Sequence, residues 1–90
     1  MNVELKGTVH AIFAEEQISD NYKKKSIVIS IEEETTYPQQ IICHAGNTKI
    51  ELLNGFQHGD KVKVQCNLKG KGSNGKYFNN LELWKIEKGN

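Results

Sequence analysis

Two groups of lysines, each beside a tyrosine, carry the chemistry that this sequence suggests most directly. One group lies in a polar segment near residue 22, and the other surrounds a glycine-rich turn near residue 73. Aromatic rings stack on nucleic-acid bases and lysines neutralise phosphates, a combination typical of proteins that hold single strands without reading their sequence. With two further aromatic residues, the predicted nucleic-acid-binding set is Tyr22, Lys23, Lys24, Lys25, Tyr37, Lys71, Lys76, Tyr77 and Trp84.

The distribution of charge is more informative than its sum. The net charge is only +1, and all twelve positive residues are lysines. The absence of arginine argues against sequence-specific readout, which relies on bidentate arginine contacts. Glutamates cluster elsewhere, at residues 15–16 and 32–34, so folding can give this nearly neutral chain a basic side. The alternative is that the lysines only solubilise exposed loops.

Catalytic and metal-binding patterns are missing from the sequence. There is no Ser/His/Asp set and no phosphate-binding loop, so we expect a binding protein rather than an enzyme. The cysteines form no C-x-x-C pair, and the adjacent Cys43 and His44 point to opposite faces of a strand. We therefore expect no metal and no cofactor, and we predict that Cys43 and Cys66 are buried apolar residues rather than a disulfide.

These residues are positioned by strands, which the sequence indicates by apolar side chains at every second residue. Apolar side chains alternate with polar, partly basic ones over residues 61–69, which predicts a strand with one apolar face. A turn over residues 70–76 joins it to a second strand over residues 77–86, giving an amphipathic hairpin.

The rest of the chain predicts three more strands and one short helix. The strands cover residues 3–13, 27–31 and 40–45. Gly7 predicts a bulge or bend inside the first of them. A polar loop is expected at residues 15–23, and a helix of about two turns at residues 47–54, capped by Asn47.

Five strands with a helix between the third and the fourth are the layout of the OB-fold, a small Greek-key barrel. Residues 1–90 suffice for one such all-β domain with one short helix. An SH3-like barrel and an open α+β sheet are the alternatives, although an SH3-like barrel does not normally carry a helix there. No apolar run could span a bilayer and no signal-peptide pattern is present, so we expect a cytoplasmic protein without membrane association.

Several motifs resemble those of bacterial single-stranded DNA-binding proteins. They are Leu5-x-Gly7-x-Val9, Tyr37-Pro38, Phe56-x-x-Gly59-Asp60-x-Val62-x-Val64, Gly70-x-Gly72-x-x-Gly75-x-Tyr77 and Leu81-x-Leu83-Trp84-x-Ile86-Glu87. Over residues 4–87 the chain most closely resembles a family of short, uncharacterised bacterial OB-fold proteins similar to these single-strand binders. The resemblance implies an OB-fold that binds single-stranded DNA or RNA, although this chain has one tryptophan and no arginine.

The binding face of an OB-fold is usually the outer surface of its second and third strands, between two flanking loops. Both lysine groups fall in or beside the predicted loops, so Tyr22 and Tyr77 are the strongest stacking candidates. Tyr37 alternatively packs against Pro38. The apolar alternation changes parity at Trp84, so its strand must bulge or be covered on both faces. Trp84 then lies under the barrel, in a subunit contact or in the groove.

Other apolar residues divide between the core and the outer face. The residues expected in the core are Phe13, Phe56 and Phe78. The residues expected on the outer face are Ile12, Val28 and either Ile42 or His44. An outer apolar face suits a homodimer or higher homo-oligomer. It also keeps a rival function open, that of an OB-fold module for protein interaction or assembly without nucleic-acid binding.

Overall fold

The alternating residues form six strands and one short helix in the computed structural model, which describes residues 1–31 and 35–89. The elements are β1 (Asn2–Ile12), β2 (Glu16–Ser19), β3 (Tyr22–Ile31), β4 (Gln39–Gly46), the 3₁₀ helix (Asn47–Leu53), β5 (Lys61–Ser73) and β6 (Lys76–Lys88). The acidic run at residues 32–34 lies outside the described residues. Within those ranges, no helix has the length and apolar character needed to cross a membrane.

The strands close into a barrel because β1 pairs on both sides. Its first half pairs antiparallel with β5 and its second half with β3. A parallel contact between His44 of β4 and Glu82 of β6 completes the circle. This is the predicted five-stranded OB barrel, with β2 added at the edge of β3. The helix lies where it was expected and follows β4 only because β2 adds one strand before it.

The segment predicted as a loop at residues 15–23 is a hairpin instead. β2 pairs with the start of β3, and Ser19 lies opposite Tyr22. The sequence does not reveal β2 because the strand is exposed along its whole length and therefore shows no apolar alternation. Tyr22, like Lys24, therefore lies on a strand and not on a loop, and strand alternation fixes the direction of its side chain.

The predicted capping role of Asn47 is wrong. Asn47 has a positive φ of 48°, and its Oδ1 accepts a hydrogen bond from the backbone N–H of Lys23 at 3.0 Å. The residue at the N-cap is Gly46, which has no side chain for capping. Asn47 therefore joins the start of the helix to β3 instead of satisfying the helix itself.

Gly7, where a bulge or bend was predicted, lies at a close approach of β1 to β3, and the bulge of β1 lies three residues later, at His10. A Cβ at this position would lie 2.1 Å from the carbonyl oxygen of Ser30. Only glycine fits such a contact with backbone, and β1 changes its pairing partner from β5 to β3 at this point.

A β-bulge at His10 reverses the facing of the end of β1. Ile12 lies opposite the buried Ile27 and packs against the core, although its parity predicted an outward position. Phe13, predicted in the core, is 49% exposed for the same reason. One inserted residue thus accounts for both errors, because a period of two cannot be carried through a bulge.

The barrel interior is filled by ten fully buried apolar side chains. They are Val9, Ile27, Ile29, Cys43, Ala45, Leu53, Val62, Val64, Cys66 and Leu83. Phe56 is partly buried against them, in agreement with its predicted core position. Cys43 and Cys66 are both buried and free, as predicted.

The β5–β6 hairpin continues beyond the barrel as an exposed arm. Residues 67–73 of β5 and 76–80 of β6 are all exposed. Asn74 and Gly75 have positive φ angles of 52° and 78°, the backbone that a tight two-residue hairpin turn requires. Phe78 is 58% exposed instead of buried, because it lies on this arm past the last layer of the core.

Candidate nucleic-acid interface

A groove runs between the β2–β3 hairpin and the β5–β6 arm, over the outer face of β4. Three adjoining cavities of about 440, 240 and 450 Å³ form it. Tyr22 and His44 line both the first and the second cavity. Asn80 joins the second to the third, and Glu82 joins the third to the first. The shared residues make the three cavities one continuous surface, which we call the groove.

Tyr22 forms part of the groove wall because the residue facing it has no side chain. Its ring lies over Gly46 of β4, where a Cβ would come within 2.9 Å of the ring atom Cε1. The ring is 37% exposed, so one part packs on backbone and the rest faces the cavity. A partly supported and partly open aromatic ring is suited to stacking on a base.

Trp84 faces the groove because β6 bulges at this residue. Gln65 lies opposite Lys85 and Cys66 lies opposite Leu83, so Trp84 is the extra residue between them. Of the two alternatives that the change of parity left open, a bulge or a strand covered on both faces, the structure has the bulge. The indole Nε1–H donates a hydrogen bond to Oδ1 of Asn2 at 2.9 Å, which holds the ring in place. Trp84 remains 40% exposed and lines the 440 Å³ cavity with Tyr22.

Four lysines line the groove, and three of them are available to a ligand. Lys69 is paired with Glu82 at 3.0 Å. Over residues 1–31 and 35–89, Lys24, Lys49 and Lys71 have no carboxylate within ion-pair distance. Unpaired ammonium groups beside aromatic rings provide the two components of single-strand binding, phosphate neutralisation and base stacking.

Strand alternation separates the three consecutive lysines of β3. Lys24 lines the 240 Å³ cavity. Lys25 lies opposite the buried Ala45 and so belongs to the other face of the strand, together with Lys23. The Nζ of Lys23 lies 3.9 Å from Oε2 of Glu15. Lys24 is thus the member of the predicted run that the fold directs into the groove.

The remaining predicted residues lie outside the three cavities. Tyr77 is 85% exposed near the tip of the arm, where its ring packs beside Gly72. Lys76 lies next to it at the start of β6. Tyr37 is exposed in the segment before β4. The structure therefore brings together Tyr22, Lys24, Lys71 and Trp84, and it does not bring Lys23, Lys25, Tyr37, Lys76 or Tyr77 into the groove.

His44 of β4 lines two of the three groove cavities. Its Nδ1 forms a hydrogen bond of 2.7 Å with the hydroxyl of Ser26. Burial lowers the pKa of His44 below its usual value, Lys24 lowers it further, and Glu16 partly offsets the effect. The ring is therefore neutral at pH 7 and offers a polar surface to the groove.

Sequence reasoning missed several groove residues. They are Ile18, His44, Lys49, Asn67, Phe78, Asn79, Asn80 and Glu82. Lys49 is isolated in sequence and lies in the short helix, so no cluster drew attention to it. Asn79 and Asn80 precede the buried part of β6, and only the pairing of the arm places them near Tyr22. Phe78 was expected in the core because the sequence does not show where the barrel ends and the exposed arm begins.

A cavity of about 470 Å³ lies elsewhere, between the beginning of β5 and the end of β6. It is lysine-rich, but two of its lysines already have acidic partners. Lys63 lies 3.7 Å from Glu4 and 3.5 Å from Glu87, and Lys88 is paired with Asp60. Among the residues that the structure describes, none of those lining this cavity is aromatic, so it is the weaker candidate for a nucleic-acid strand. No group of three or more His, Cys, Asp or Glu side chains suited to a metal occurs in the described parts of the chain.

Solved structures with the same fold cover nearly the whole chain. Rim1, a mitochondrial single-stranded DNA-binding protein from S. cerevisiae, superposes with a TM-score of 0.80 at 14% identity, covering 98% of this chain and 94% of its own. The N-terminal domain of PriB from Thermoanaerobacter tencongensis, described as dimeric, gives 0.71 at 15% identity over 99% and 96%. The small single-stranded DNA-binding protein of Streptomyces coelicolor gives 0.57 at 11% identity over 99% and 94%. At these identities the likeness shows the fold.

The sequence comparisons identify the family. No curated protein sequence matches the chain. The model of the family described as "Domain of unknown function (DUF3127)" matches residues 4–87, the same span over which the motifs resemble single-strand binders. The chain belongs to the DUF3127 family.

Proposed function

We propose that this protein binds single-stranded nucleic acid, most directly DNA, in the groove and with little sequence preference. The observation that carries the proposal is that Tyr22, Trp84 and three lysines without an acidic partner among the described residues line one continuous surface. The similar solved structures include two named as single-stranded DNA-binding proteins, which supports this use of the fold. The protein acts as a binding protein in the cytoplasm, not as an enzyme.

The roles of the side chains follow from their positions. Lys24, Lys49 and Lys71 contact phosphates along the groove, while Tyr22 and Trp84 stack on bases. The exposed arm extends this surface, with Lys76 and Tyr77 contacting the strand where it leaves the groove. Lys23, Lys25 and Tyr37 lie farther from this path, so their contribution is limited to long-range attraction or to contacts with a longer strand.

Alanine substitution of Tyr22 tests the groove assignment. A stacked base contributes about 1–3 kcal/mol, so Tyr22→Ala is expected to weaken oligonucleotide binding by roughly tenfold or more. The melting temperature should change little, because the ring is partly exposed. Tyr37→Ala is the matched control, since it removes an equal ring outside the cavities. Equal affinities of the two variants in fluorescence-anisotropy titrations would contradict the assignment.

We also propose that the chain forms a homodimer or higher homo-oligomer through the part of the outer face of β3 and β4 around Val28 and Ile42, outside the groove. Val28 lies opposite Ile42 on this face, and Ile42 is 47% exposed. The exposed Phe13 borders the same region, because its backbone N–H bonds to Ser26 of β3. The similar PriB domain is described as dimeric. Sedimentation of a 10.2 kDa monomer at tens of micromolar would contradict this part of the proposal.

The same apolar residues favour the second candidate function, a module that binds another protein. Such a partner would bury Phe13 and Ile42 and would leave the groove lysines unused. The two functions differ in their dependence on salt, because phosphate binding releases counterions and apolar contact does not.

A further inference from the structure

The two cysteines form a close pair inside the barrel. The Sγ atoms of Cys43 and Cys66 lie 3.4 Å apart, within hydrogen-bond distance for two sulfurs. Both side chains are completely buried, and both are free thiols. They are the only cysteines in the chain, so each is the nearest possible partner of the other.

The pair spans the barrel instead of joining neighbouring strands. Cys43 lies on β4, whose neighbours are β3 and β6, and Cys66 lies on β5, whose neighbours are β1 and β6. A bond between the two sulfurs would therefore add a covalent link where the sheet has no hydrogen bonds. It would also close the chain from residue 43 to residue 66, a loop that contains the 3₁₀ helix.

We propose that Cys43 and Cys66 are an oxidation site, which closes to an intramolecular disulfide when the protein meets a hydroperoxide. The Cys66 thiolate attacks one oxygen of hydrogen peroxide, breaking the O–O bond and leaving Cys66 as a sulfenic acid with release of hydroxide. The sulfur of Cys43 then attacks the sulfur of Cys66, expelling the second oxygen as water after proton transfer. In sum, two thiols and one peroxide give one disulfide and two water molecules.

The electrostatics of the pair support this order of events. An ionised Cys66 accepts a hydrogen bond from the Cys43 thiol, which lowers the pKa of Cys66 by more than burial raises it. The same bond and the burial of the site raise the pKa of Cys43. Cys66 is therefore the thiol that ionises first, and Cys43 follows as the resolving thiol. The inference does not depend on the binding of nucleic acid.

Peptide mapping without reductant tests the proposal directly. The folded protein is treated with hydrogen peroxide at low concentration, denatured, alkylated and digested with trypsin. Cleavage at lysine places Cys43 in residues 26–49 and Cys66 in residues 64–69, so the two peptides separate unless a disulfide joins them. We expect the joined pair, its disappearance on reduction, and an increase in melting temperature of roughly 5–15 °C for the oxidised protein.

The Cys66→Ala variant supplies the control, since it leaves Cys43 without a partner and should yield no joined peptide. Because the mapping uses the natural sequence, the result stands even where that variant folds poorly. Three results would overturn the proposal: full alkylation of both cysteines after peroxide treatment, separate sulfinic acids, or disulfides formed only between chains on a non-reducing gel.

Discussion

The ring of Tyr22 on β3 packs against Gly46 on β4, so closely that a Cβ at residue 46 would approach Cε1 to 2.9 Å. The glycine gives the tyrosine its place in the wall of the groove. Gly46 thus contributes to the proposed binding site indirectly, because it sets the position of the Tyr22 ring.

Gly46→Ala is expected to displace the Tyr22 ring from the groove wall. The ring is the far end of a flexible side chain, so it should move while the backbone of β4 stays in place. We expect oligonucleotide affinity to fall about fivefold, within the range for partial loss of one stacked base, with little change in melting temperature. Gly70→Ala is the control, since its Cβ would make only ordinary contacts at 3.6 Å. A variant that binds as tightly as the natural protein would show that the position of Tyr22 is unimportant.

Glu82→Gln is expected to strengthen binding. The Glu82 carboxylate forms an ion pair with the Lys69 ammonium at 3.0 Å inside the groove, where it competes with phosphate for this lysine. Its neutralisation frees a fourth lysine, so affinity should rise severalfold at low salt. The salt slope should steepen by about 0.7. Stability should change by less than about 1 kcal/mol because the pair is exposed.

Glu87→Gln makes the same change in net charge beside Lys63, outside the groove, and it separates a local effect from a global one. If both glutamine variants gained affinity equally, the gain would come from net charge alone and Glu82 would have no special role.

The stability of the protein is expected to fall as the pH drops below about 6.5, the ordinary pKa of histidine. The folded-state pKa of His44 is lowered by burial and by Lys24, so the unfolded chain binds its proton first. Stability is then lost between pH 6.5 and the folded-state pKa of this residue. His44→Gln, which keeps a polar group beside Ser26, should flatten the dependence of melting temperature on pH between 7.5 and 5.5. An unchanged slope would assign the effect to other groups.

The barrel could be predicted because the patterns that indicate its strands involve only residues near one another along the chain. Alternation in residues 61–69 depends only on neighbours along the chain, and the strand that it predicted is present. The change of parity at Trp84 indicated either a bulge or a strand covered on both faces, and the structure has the bulge. The bulge at His10 left no such mark, because apolar side chains occupy both faces of β1 around it.

The groove was only partly predictable because tertiary pairing assembles it. Tyr22 and Lys24 stood out as an aromatic and a cation in a polar segment. Lys49 and Asn80 come near them only through the closure of the barrel and the pairing of the arm, which no local pattern shows. Clusters of like residues in sequence were a poor guide, because the strand sends Lys24 and Lys25 to opposite faces.

Titration with an oligo-dT strand, followed by the fluorescence of the single tryptophan at low and high salt, tests the central claim most directly. Trp84 lines the groove, so bound strand should quench it to saturation. Three available lysines predict that the logarithm of affinity falls with the logarithm of salt with a slope of about −2. No fluorescence change together with no shift on a native gel, or an affinity independent of salt, would contradict strand binding in the groove.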